Sequence, residues 1–310
     1  MRGVVALVVL PSCCNSMVEG FAVPAWPVCS SNKLHWGGRD GGVREFRRKR
    51  AVYPAGSLPW ARAPLVRMSA GRPSVTLKLA VDEQGAVDDL SKGAQRFTSQ
   101  ESLDAVHRLR RESGAVLVGV ETVLRDNPSL TVRRVPLKEG QAQPIRVVLD
   151  RRLRIPGPSA CQLLGDGQRT IVFFAVAGAD SPAAERATAL RPQLLHLPVE
   201  LVGLDAPTPE DGCPLGAVLG ALRERGVEHV MVEGGPATAA RFLGEGLVDR
   251  AIIVRALMKF GDPVPSNIDA SVLTSSNLQM AGTTSWGVDS VECWTRRGQE
   301  WPGEGVGTWP

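Results

Sequence analysis

The sequence predicts an α/β fold in which a mostly parallel central sheet lies between two layers of helices. Strand-like and helix-like segments alternate along the chain, which is the pattern that produces parallel sheets. Residues 115–119 form a short, continuous apolar run of the kind found in strands buried on both faces. Residues 230–236 pass from an apolar strand through two glycines into a helix. These features together indicate one three-layer domain, which we place at residues 71–297.

The first elements of this domain show clear periodicity. Residues 73–81 alternate apolar and polar side chains and include β-branched residues, which is typical of a strand. Thr98 and Glu101 have the spacing of a capping box, so a helix is predicted to begin there and to continue to Glu112. After the buried strand, residues 119–128 predict a turn and a short helix that ends at a proline.

The later elements follow from the same two periods. Period-two alternation or a short apolar run predicts a strand, and apolar residues every three or four positions predict a helix. Gly226 ends one of these helices, and the Gly-, Pro- and Trp-rich tail 298–310 is expected to be disordered. The remaining predicted strands are 144–150, 169–174, 228–232, 249–254 and 290–295, and the remaining predicted helices are 182–191, 215–224 and 237–245.

The composition is that of a globular protein and excludes disordered and fibrous chains. Apolar residues make up 43% and charged residues 22% of the sequence. Residues 1–70 hold ten Lys or Arg and three acidic residues, a net +7 in a chain of net +4, so the rest carries −3. The folded part therefore has no basic excess for nucleic acid. Six Cys and four His without a Cys-x-x-Cys pair or metal-ligand spacing predict neither a zinc site nor a disulfide framework.

Residues 1–70 are predicted to form a targeting leader. Arg2 precedes a short apolar run that is too short to span a bilayer and is typical of a signal peptide. Phe21 follows a small residue and precedes Ala-Val-Pro, like the cleavage site of bipartite leaders in algae with complex plastids. The Arg-rich, acid-poor remainder has the composition of a transit peptide, although the basic run 47–50 alone would also fit a nuclear signal. We expect a plastid protein, with a cytoplasmic protein as the alternative.

The turn Glu233-Gly234-Gly235-Pro236 is the first candidate ligand site. Amides at the start of a helix can bind phosphate, because they lack helical partners and lie at the positive end of the helix dipole. Glycine lets a ligand approach the main chain, and an acid at the strand end can contact a sugar hydroxyl. The same residues also fit an ordinary tight turn, and they do not form the Gly-x-Gly-x-x-Gly pattern of the Rossmann fold.

The second candidate site lies between Gly119 and Arg133. Thr122 and Asp126 are four residues apart, so they share one face of the predicted short helix. Arg133 is suited to bidentate contact with a phosphate. A capped turn with solvated charges is the alternative interpretation of this segment.

Seven segments occur in an order and spacing shared with a known family. They are Leu77-Lys78-Leu79-Ala80, Phe97-Thr98-Ser99, Val106-His107-x-Leu109-Arg110, Val118-Gly119-x-x-Thr122-Val123-x-x-Asp126-x-Pro128-Ser129-Leu130-Thr131-Val132-Arg133, Gln143-Pro144-Ile145-Arg146-Val147-Val148-Leu149-Asp150, Val232-Glu233-Gly234-Gly235-Pro236 and Gly246-Leu247-Val248-Asp249. In combination they resemble the reductase half of the riboflavin deaminase-reductases, over about residues 72–256. The region after Ala256 is only loosely similar.

The resemblance implies a dihydrofolate-reductase-like fold, NADPH as hydride donor, and a ribosylamino-pyrimidine 5′-phosphate whose ring-opened imine accepts hydride at C1′. It implies that Lys78 and Glu233 are catalytic, polarising the ribose and handling protons. Arg110, Leu130, Arg133 and Glu233 would bind the substrate, with the two arginines on its phosphate. The implied cofactor-binding residues are Ala80, Thr122, Asp126, Gly234, Gly235, Pro236, Ala237 and Thr238.

The chain departs from the family pattern at several positions. The usual Ser-Leu-Asp-Gly after the first strand is replaced by residues 82–85, Asp-Glu-Gln-Gly. A common Trp is Arg96 here, and a substrate-contacting Ser is Ala94. A Ser after Asp150 is replaced by Arg151, a candidate for contact with the 2′-phosphate of NADPH. These substitutions bear on the contacts of the first loop and on the choice of pyrimidine.

The activity that the resemblance implies is the NADPH-dependent reduction of 5-amino-6-(5-phosphoribosylamino)uracil to its ribitylamino product. The alternatives are the same reduction of 2,5-diamino-6-ribosylamino-pyrimidinone 5′-phosphate, reduction of a pterin by the same fold, and a catalytically silent partner of a separate deaminase. Arg110, Arg133 and Glu233 disfavour the pterin, which has no sugar phosphate. The sequence contains no His-x-Glu followed by Pro-Cys-x-x-Cys, so we expect another protein to carry out the deamination. We expect a homodimer, with the strand-like segment 249–254 exposed, and neither a nucleic-acid nor a membrane partner.

Overall fold

The computed structural model describes residues 71–91, 96–177, 181–206 and 212–310. The predicted leader and Ala94 lie outside the described residues. Its strands are β1 (Ser74–Val81), β2 (Ala86–Asp89), β3 (Ala115–Gly119), β4 (Ile145–Leu149), β5 (Thr170–Val176), β6 (Val199–Asp205), β7 (His229–Val232), β8 (Arg250–Arg255), β9 (Pro263–Pro265), β10 (Leu278–Trp286) and β11 (Asp289–Arg296). Its helices are α1 (Gln100–Arg111), α2 (Val120–Asp126), α3 (Gln162–Gly165), α4 (Pro182–Leu194), α5 (Leu215–Glu224), α6 (Pro236–Gly244) and α7 (Ala270–Ser275).

Nine strands form one sheet in the order β10-β11-β8-β1-β7-β3-β4-β5-β6. The seven neighbours from β8 to β6 run parallel, whereas β11 and β10 are added antiparallel at one edge. β2 and β9 pair in a separate two-stranded sheet. The predicted α/β fold with a mostly parallel central sheet is confirmed.

Helices cover both faces of this sheet, because successive residues of a strand point to opposite sides. In β3, Leu117 belongs to the core cluster shared with α5 and α6, while Val116 and Val118 belong to the cluster packed under α3 and α4. A third cluster, which includes Leu109 of α1, covers β7, β8 and β11. This is the predicted three-layer arrangement. Among the described residues, no helix is both long and apolar enough to cross a membrane.

Helix α1 does not use the predicted capping box. Its N-cap is Ser99, whose Oγ accepts a hydrogen bond from the Ser102 amide at 3.2 Å. Ser99 is fixed by the β10–β11 hairpin, since its hydroxyl donates to the Trp286 carbonyl at 2.7 Å and its amide donates to Asp289 at 2.8 Å. These long-range contacts, which local spacing does not report, select Ser99 over Thr98 as the cap.

The expectation of an exposed strand at 249–254 is wrong. This segment forms β8, which pairs with β1 on one side and with β11 on the other. The antiparallel hairpin covers the edge that β8 would otherwise present, so β8 is an interior strand.

The tail 298–310 is packed, where disorder was expected. Trp301, Val306 and Trp309 lie against the apolar cluster that covers β8 and β11. The two indole rings meet edge to face at 5.5 Å, and the Arg250 guanidinium lies 5.1 Å from the Trp309 ring. The tail is ordered because its large side chains bury apolar surface. The prediction of disorder gave weight to its Gly and Pro content and not to this burial.

Candidate active site

The candidate residues converge at one edge of the sheet. β1, β7, β3 and β4 are adjacent and parallel, so their carboxyl ends lie side by side. β1 carries Lys78 and Ala80, β7 is followed by Glu233, β3 ends at Gly119, and β4 is followed by Asp150. In open α/β sheets this is the edge at which ligands bind.

Two adjoining cavities, each of about 370 Å³, lie at this edge. They share Glu121, Thr122, Gly235 and Pro236, so they form one continuous cleft with two lobes. Ala237 and Thr238 line the lobe that we call the outer lobe. The other, which we call the inner lobe, is lined by the predicted residues Lys78, Ala80, Thr122, Asp126, Glu233, Gly234, Gly235 and Pro236.

The glycines of the β7–α6 turn allow a close approach between the strand ends and the first turn of α6. A Cβ on Gly234 would lie 2.6 Å from the Thr238 Cβ, and a Cβ on Gly119 would lie 2.6 Å from the Thr238 Oγ1. At Gly235 the nearest atom to such a Cβ would be the Thr122 Oγ1 at 4.0 Å. This opening between α6 and α2 leaves room for a ligand beside the amides of α6.

Arg110 locks the carboxylate of Glu233 in the inner lobe. Its Nε donates to Oε1 at 2.6 Å and its Nη2 donates to Oε2 at 2.7 Å, while Nη1 donates to the Thr131 carbonyl at 3.1 Å. Both side chains are nearly buried, at 11% and 12% exposure. Burial alone would raise the pKa of Glu233, but the charge and hydrogen bonds of Arg110, with the charge of Lys78, lower the pKa below its usual range. Glu233 is therefore a fixed anion.

The phosphate contact predicted for Arg110 stays a prediction, and the contacts that the structure gives this side chain are with protein acceptors. Each of its three guanidinium nitrogens already donates to a protein acceptor. A bidentate pair with a carboxylate fits the planar fork of arginine, and these three bonds account for three of its five N–H groups. In the structure Arg110 fixes the carboxylate of Glu233.

Lys78 lies in the same lobe in a different electrostatic setting. Burial lowers the pKa of its ammonium group below the ordinary 10.5; Glu233 opposes this shift, and the positive charge of Arg110 adds to it. A lysine with a lowered pKa is a better proton donor near neutral pH. The two predicted catalytic residues thus differ in their electrostatics, because the pKa of the Glu233 carboxylate is lowered and it is held ionised, whereas the pKa of the Lys78 ammonium group is also lowered, which favours release of its proton.

Leu130 and Arg133 lie on the 129–133 loop beside this ion pair, and neither belongs to the lining of the two lobes. Leu130 is buried with a φ of 54°, whereas Arg133 is exposed and donates to the Ser129 hydroxyl. Burial, and after it the charges of Arg96, Arg110 and Arg134, lower the pKa of Arg133. The substitution Arg96 therefore adds positive charge near Arg133.

Asp126 faces the inner lobe from α2 with Thr122, as their spacing predicted. Burial and then the negative charge of Asp88 raise the pKa of Asp126, and the positive charge of Arg125 opposes this shift.

Asp82, in the substituted first loop, accepts hydrogen bonds from the amides of Gln84 and Ala86, each at 2.8 Å. The loop is therefore held by its own carboxylate.

The outer lobe contains residues to which the sequence analysis gave little weight. Asp150 lines this lobe and is fully buried. Burial raises the pKa of its carboxyl group, whereas hydrogen bonds from the amides of Arg154 and Ile155 lower it. Arg151 and Arg154 line the lobe, and Arg154 also pairs with Glu121 of α2. The signal in the sequence was the basic run directly after β4. Among the described residues, no group of three or more His, Cys, Asp or Glu is suited to a metal ion.

Comparison with solved structures assigns the fold to the dihydrofolate-reductase-like class. The RibD structure of Acinetobacter baumannii (form 1) superposes with a TM-score of 0.58 at 27% identity, covering 74% of this chain and 59% of that one. The riboflavin biosynthesis reductase Rib7 of Saccharomyces cerevisiae shares the fold at 18% identity, with a TM-score of 0.51 over 72% of this chain and 90% of that one. The protein is thus a dihydrofolate-reductase-like domain whose cleft lies at the carboxyl edge of the sheet.

The chain belongs to the RibD C-terminal domain family, whose model matches residues 73–291. The riboflavin biosynthesis protein RibD of Aquifex aeolicus is 38% identical over 191 residues, which are 62% of this chain and 48% of that protein. The 2,5-diamino-6-ribosylamino-4(3H)-pyrimidinone 5′-phosphate reductase of Archaeoglobus fulgidus is 33% identical over 184 residues, 57% of this chain and 77% of that protein. The chain thus spans about half the length of the RibD relative and most of the length of the archaeal one.

Proposed function

We propose that this protein reduces 5-amino-6-(5-phosphoribosylamino)uracil to the corresponding ribitylamino compound, with NADPH as the hydride donor. The observation that carries the proposal is the two-lobed cleft. Its inner lobe places Lys78 beside the fixed anion Glu233, and its outer lobe joins the start of α6 to Arg151 and Arg154. Family membership and the names of the relatives support a reductase of riboflavin biosynthesis.

The chain's own residues fit a phosphate-bearing dinucleotide. The opening between Gly235 and Thr122 would admit it, the amides at the start of α6 would hold its pyrophosphate, and Arg151 and Arg154 would meet an adenosine 2′-phosphate. When bound, NADPH supplies the hydride that adds to C1′ of the substrate. Asp126 and Ala80 would border the nicotinamide end, next to Lys78.

Protons are handled by the residues of the inner lobe. As the ribose ring opens, Lys78 donates a proton to the ring oxygen, which becomes the 4′-hydroxyl of the ribityl chain. Glu233 accepts a hydrogen bond from a substrate N–H or O–H and keeps its charge, because Arg110 binds both of its oxygens. The reaction therefore consumes one hydride and one proton. Most of the acceleration comes from holding the reacting carbons in contact.

The proposed substrate is the deaminated pyrimidine, and the diamino compound is the second candidate. The RibD relative at 38% identity supports the reductase type, and a plastid location would favour the bacterial and plant order of reactions. The archaeal relatives at 33% identity, both named for the diamino pyrimidinone, support the second candidate.

The test is to follow the loss of NADPH absorbance with each pyrimidine phosphate in turn. Faster turnover of the uracil compound supports the proposal, and faster turnover of the diamino compound replaces the substrate while keeping the reaction. NADPH binding without turnover of either compound would instead support the silent partner of a deaminase.

We also propose that the protein is a homodimer and reaches a plastid. The support is the tendency of similar reductases to dimerise and the composition of residues 1–70. Sedimentation of the purified chain tests the first statement. The location in an algal cell of a fluorescent protein fused behind residues 1–70 tests the second.

A further inference from the structure

The backbone of residues 129–133, which we call the 129–133 loop, has no regular secondary structure and is held by side chains from elsewhere. Arg110 Nη1 donates to the Thr131 carbonyl at 3.1 Å. Gln143 binds Val132 twice, accepting from its amide at 2.7 Å and donating to its carbonyl at 2.9 Å. His107 Nδ1 accepts from the Arg133 amide at 3.0 Å. An irregular segment anchored at successive residues is built to hold one conformation.

These anchors come from rigid parts of the fold. Arg146 of β4 is fully buried, and its Nη1 donates both to the Ser129 carbonyl at 3.2 Å and to Asp166 at 2.6 Å. His107 lies on α1, three residues before Arg110, so the two side chains share one face of the helix. The same helix face therefore binds Glu233 through Arg110 and the 129–133 loop through both residues.

The conformation of the loop requires such anchors. Leu130 has a φ of 54°, in the left-handed region that side chains other than glycine rarely adopt, and it is buried. Strained residues of this kind persist only where their surroundings fix them, and they are concentrated at functional sites. The loop therefore stores strain that its side-chain anchors hold in place.

We propose that His107 is a positioning residue for the substrate. By accepting a hydrogen bond from the Arg133 amide, it fixes the position of Arg133 relative to Glu233. The inference rests on the proposed function, in which Glu233 binds the substrate, and on the expectation that Arg133 binds the phosphate of that substrate. Arg133 is the accessible arginine of this arrangement, since its side chain is exposed and bonded to the Ser129 hydroxyl, whereas Arg110 is nearly buried and pairs with Glu233. Arg133 is then the group that takes the phosphate.

The role requires a neutral histidine with its proton on Nε2, because Nδ1 accepts from an amide. Its surroundings favour this state. Burial, followed by the charges of Arg110 and Arg133, lowers the pKa of His107 to about 4, and the charge of Arg134 adds to this shift. The carboxylate of Glu233 opposes the shift. The anchor is therefore intact at neutral pH.

The experiment compares two full-length variants, His107→Phe and His107→Asn. Phenylalanine keeps a ring but removes the acceptor, whereas the Oδ1 of asparagine can replace Nδ1. His107→Phe should raise the KM for the pyrimidine phosphate about tenfold, as expected for one lost hydrogen bond at a site that orients a charged group. The kcat and the KM for NADPH should stay within about twofold of wild type, and His107→Asn should restore the substrate KM.

Amide hydrogen exchange gives a readout that does not depend on activity. The Arg133 amide should exchange faster in His107→Phe and at nearly the wild-type rate in His107→Asn. Gln143→Met, which removes both bonds to Val132 from a partly exposed position, should likewise raise the substrate KM and accelerate exchange at Val132, so the test survives a failure of His107→Phe to fold.

Three results would overturn the proposal. Unchanged exchange at Arg133 would show that His107 does not hold the loop, and faster exchange with an unchanged substrate KM would show that the loop does not position the substrate. Equal losses in the substrate KM, the NADPH KM and the melting temperature would assign His107 to the core. If the wild type turns over neither pyrimidine, the proposed function fails, while the exchange data still report on the anchor.

Discussion

At the scale of single residues, the inner lobe holds two groups of opposite charge whose environments differ. Glu233 is bound at both oxygens, so its carboxylate stays ionised and immobile. Lys78 is partly buried in the same lobe, and this burial lowers its pKa. When the environments of two titratable groups in one site differ in this way, one group keeps its charge and the other can release a proton, and acid and base roles are assigned on that basis. Lys78 is therefore the titrating group of the proposed reaction.

This assignment predicts the pH profile. The donor is the protonated ammonium group, so kcat/KM should fall as pH rises through a pKa lying below the ordinary lysine value of 10.5. Lys78→Met should reduce kcat by about a hundredfold or more, the typical contribution of a positioned acid. Lys78→Arg, which stays charged, should be slow and should lack the alkaline limb. An unchanged alkaline limb in Lys78→Arg would assign the titration to another group.

Arg154 predicts the cofactor preference. It lines the outer lobe and pairs with Glu121, a partner that an adenosine 2′-phosphate would displace. Arg154→Gln should lower the ratio of kcat/KM for NADPH over NADH by about tenfold to a hundredfold, because a hydrogen bond to a charged group is lost. Arg152→Gln is the matched control, since Arg152 is exposed and does not belong to the lining of this lobe. Equal effects of the two variants would indicate general electrostatics instead of a specific contact.

At the scale of elements, the β7–α6 turn depends on the close packing of Gly234 against Thr238. A Cβ at Gly234 would lie 2.6 Å from the Thr238 Cβ, so Gly234→Ala must displace the first turn of α6. It should lower the free energy of unfolding by about 1–3 kcal/mol and raise the KM for NADPH. Gly244→Ala, at the other end of α6, meets no atom within 4 Å and should leave both quantities unchanged or improve stability slightly. Denaturant unfolding and initial rates measure the two effects.

The sequence predicted the buried parallel strands and the helices between them, because each shows one clear period. It did not predict β6 and β10, which lie at the two edges of the sheet and are mostly partly buried or exposed. An edge strand packs against fewer neighbours and so leaves a weaker pattern. The cap of α1 was misplaced by one residue because the hairpin β10–β11, far away in the sequence, selects Ser99.

At the scale of the whole molecule, the fold joins residues from Lys78 to Thr238 into one cleft, as the family resemblance implied. The individual roles depended on contacts that spacing does not encode. The pairing of Arg110 with Glu233 joins residues 123 positions apart, and it shows that Arg110 fixes a carboxylate, which spacing alone did not indicate. The packing of the tail likewise depends on which apolar face the sheet leaves open for Trp301 and Trp309.

The sheet also contains a partly buried histidine, His229, whose titration makes the stability of the fold sensitive to acid. Nε2 of His229 lies 2.8 Å from the Thr76 hydroxyl, and Nδ1 lies 3.1 Å from the Glu112 carbonyl oxygen. The centroid of the Trp309 ring lies 6.0 Å from that of the imidazole. Since a carbonyl can only accept, the neutral ring carries its proton on Nδ1. Burial lowers the pKa of His229 from 6.5 to about 4; the Glu112 carbonyl opposes the shift and the charge of Arg250 adds to it.

A folded pKa below the unfolded one favours the neutral ring in the native state, so this contribution to stability is complete above pH 6.5 and is lost as pH falls toward 4. The loss for this group should reach roughly 3 kcal/mol at the acid end. His229→Gln, which cannot titrate, should be less stable at neutral pH but should show a shallower fall in unfolding free energy between these pH values. The exposed His196→Gln is the control and should follow the wild-type curve, as measured by urea unfolding at several pH values. A wild-type slope in His229→Gln would place the acid sensitivity elsewhere, with His107 the next group to test.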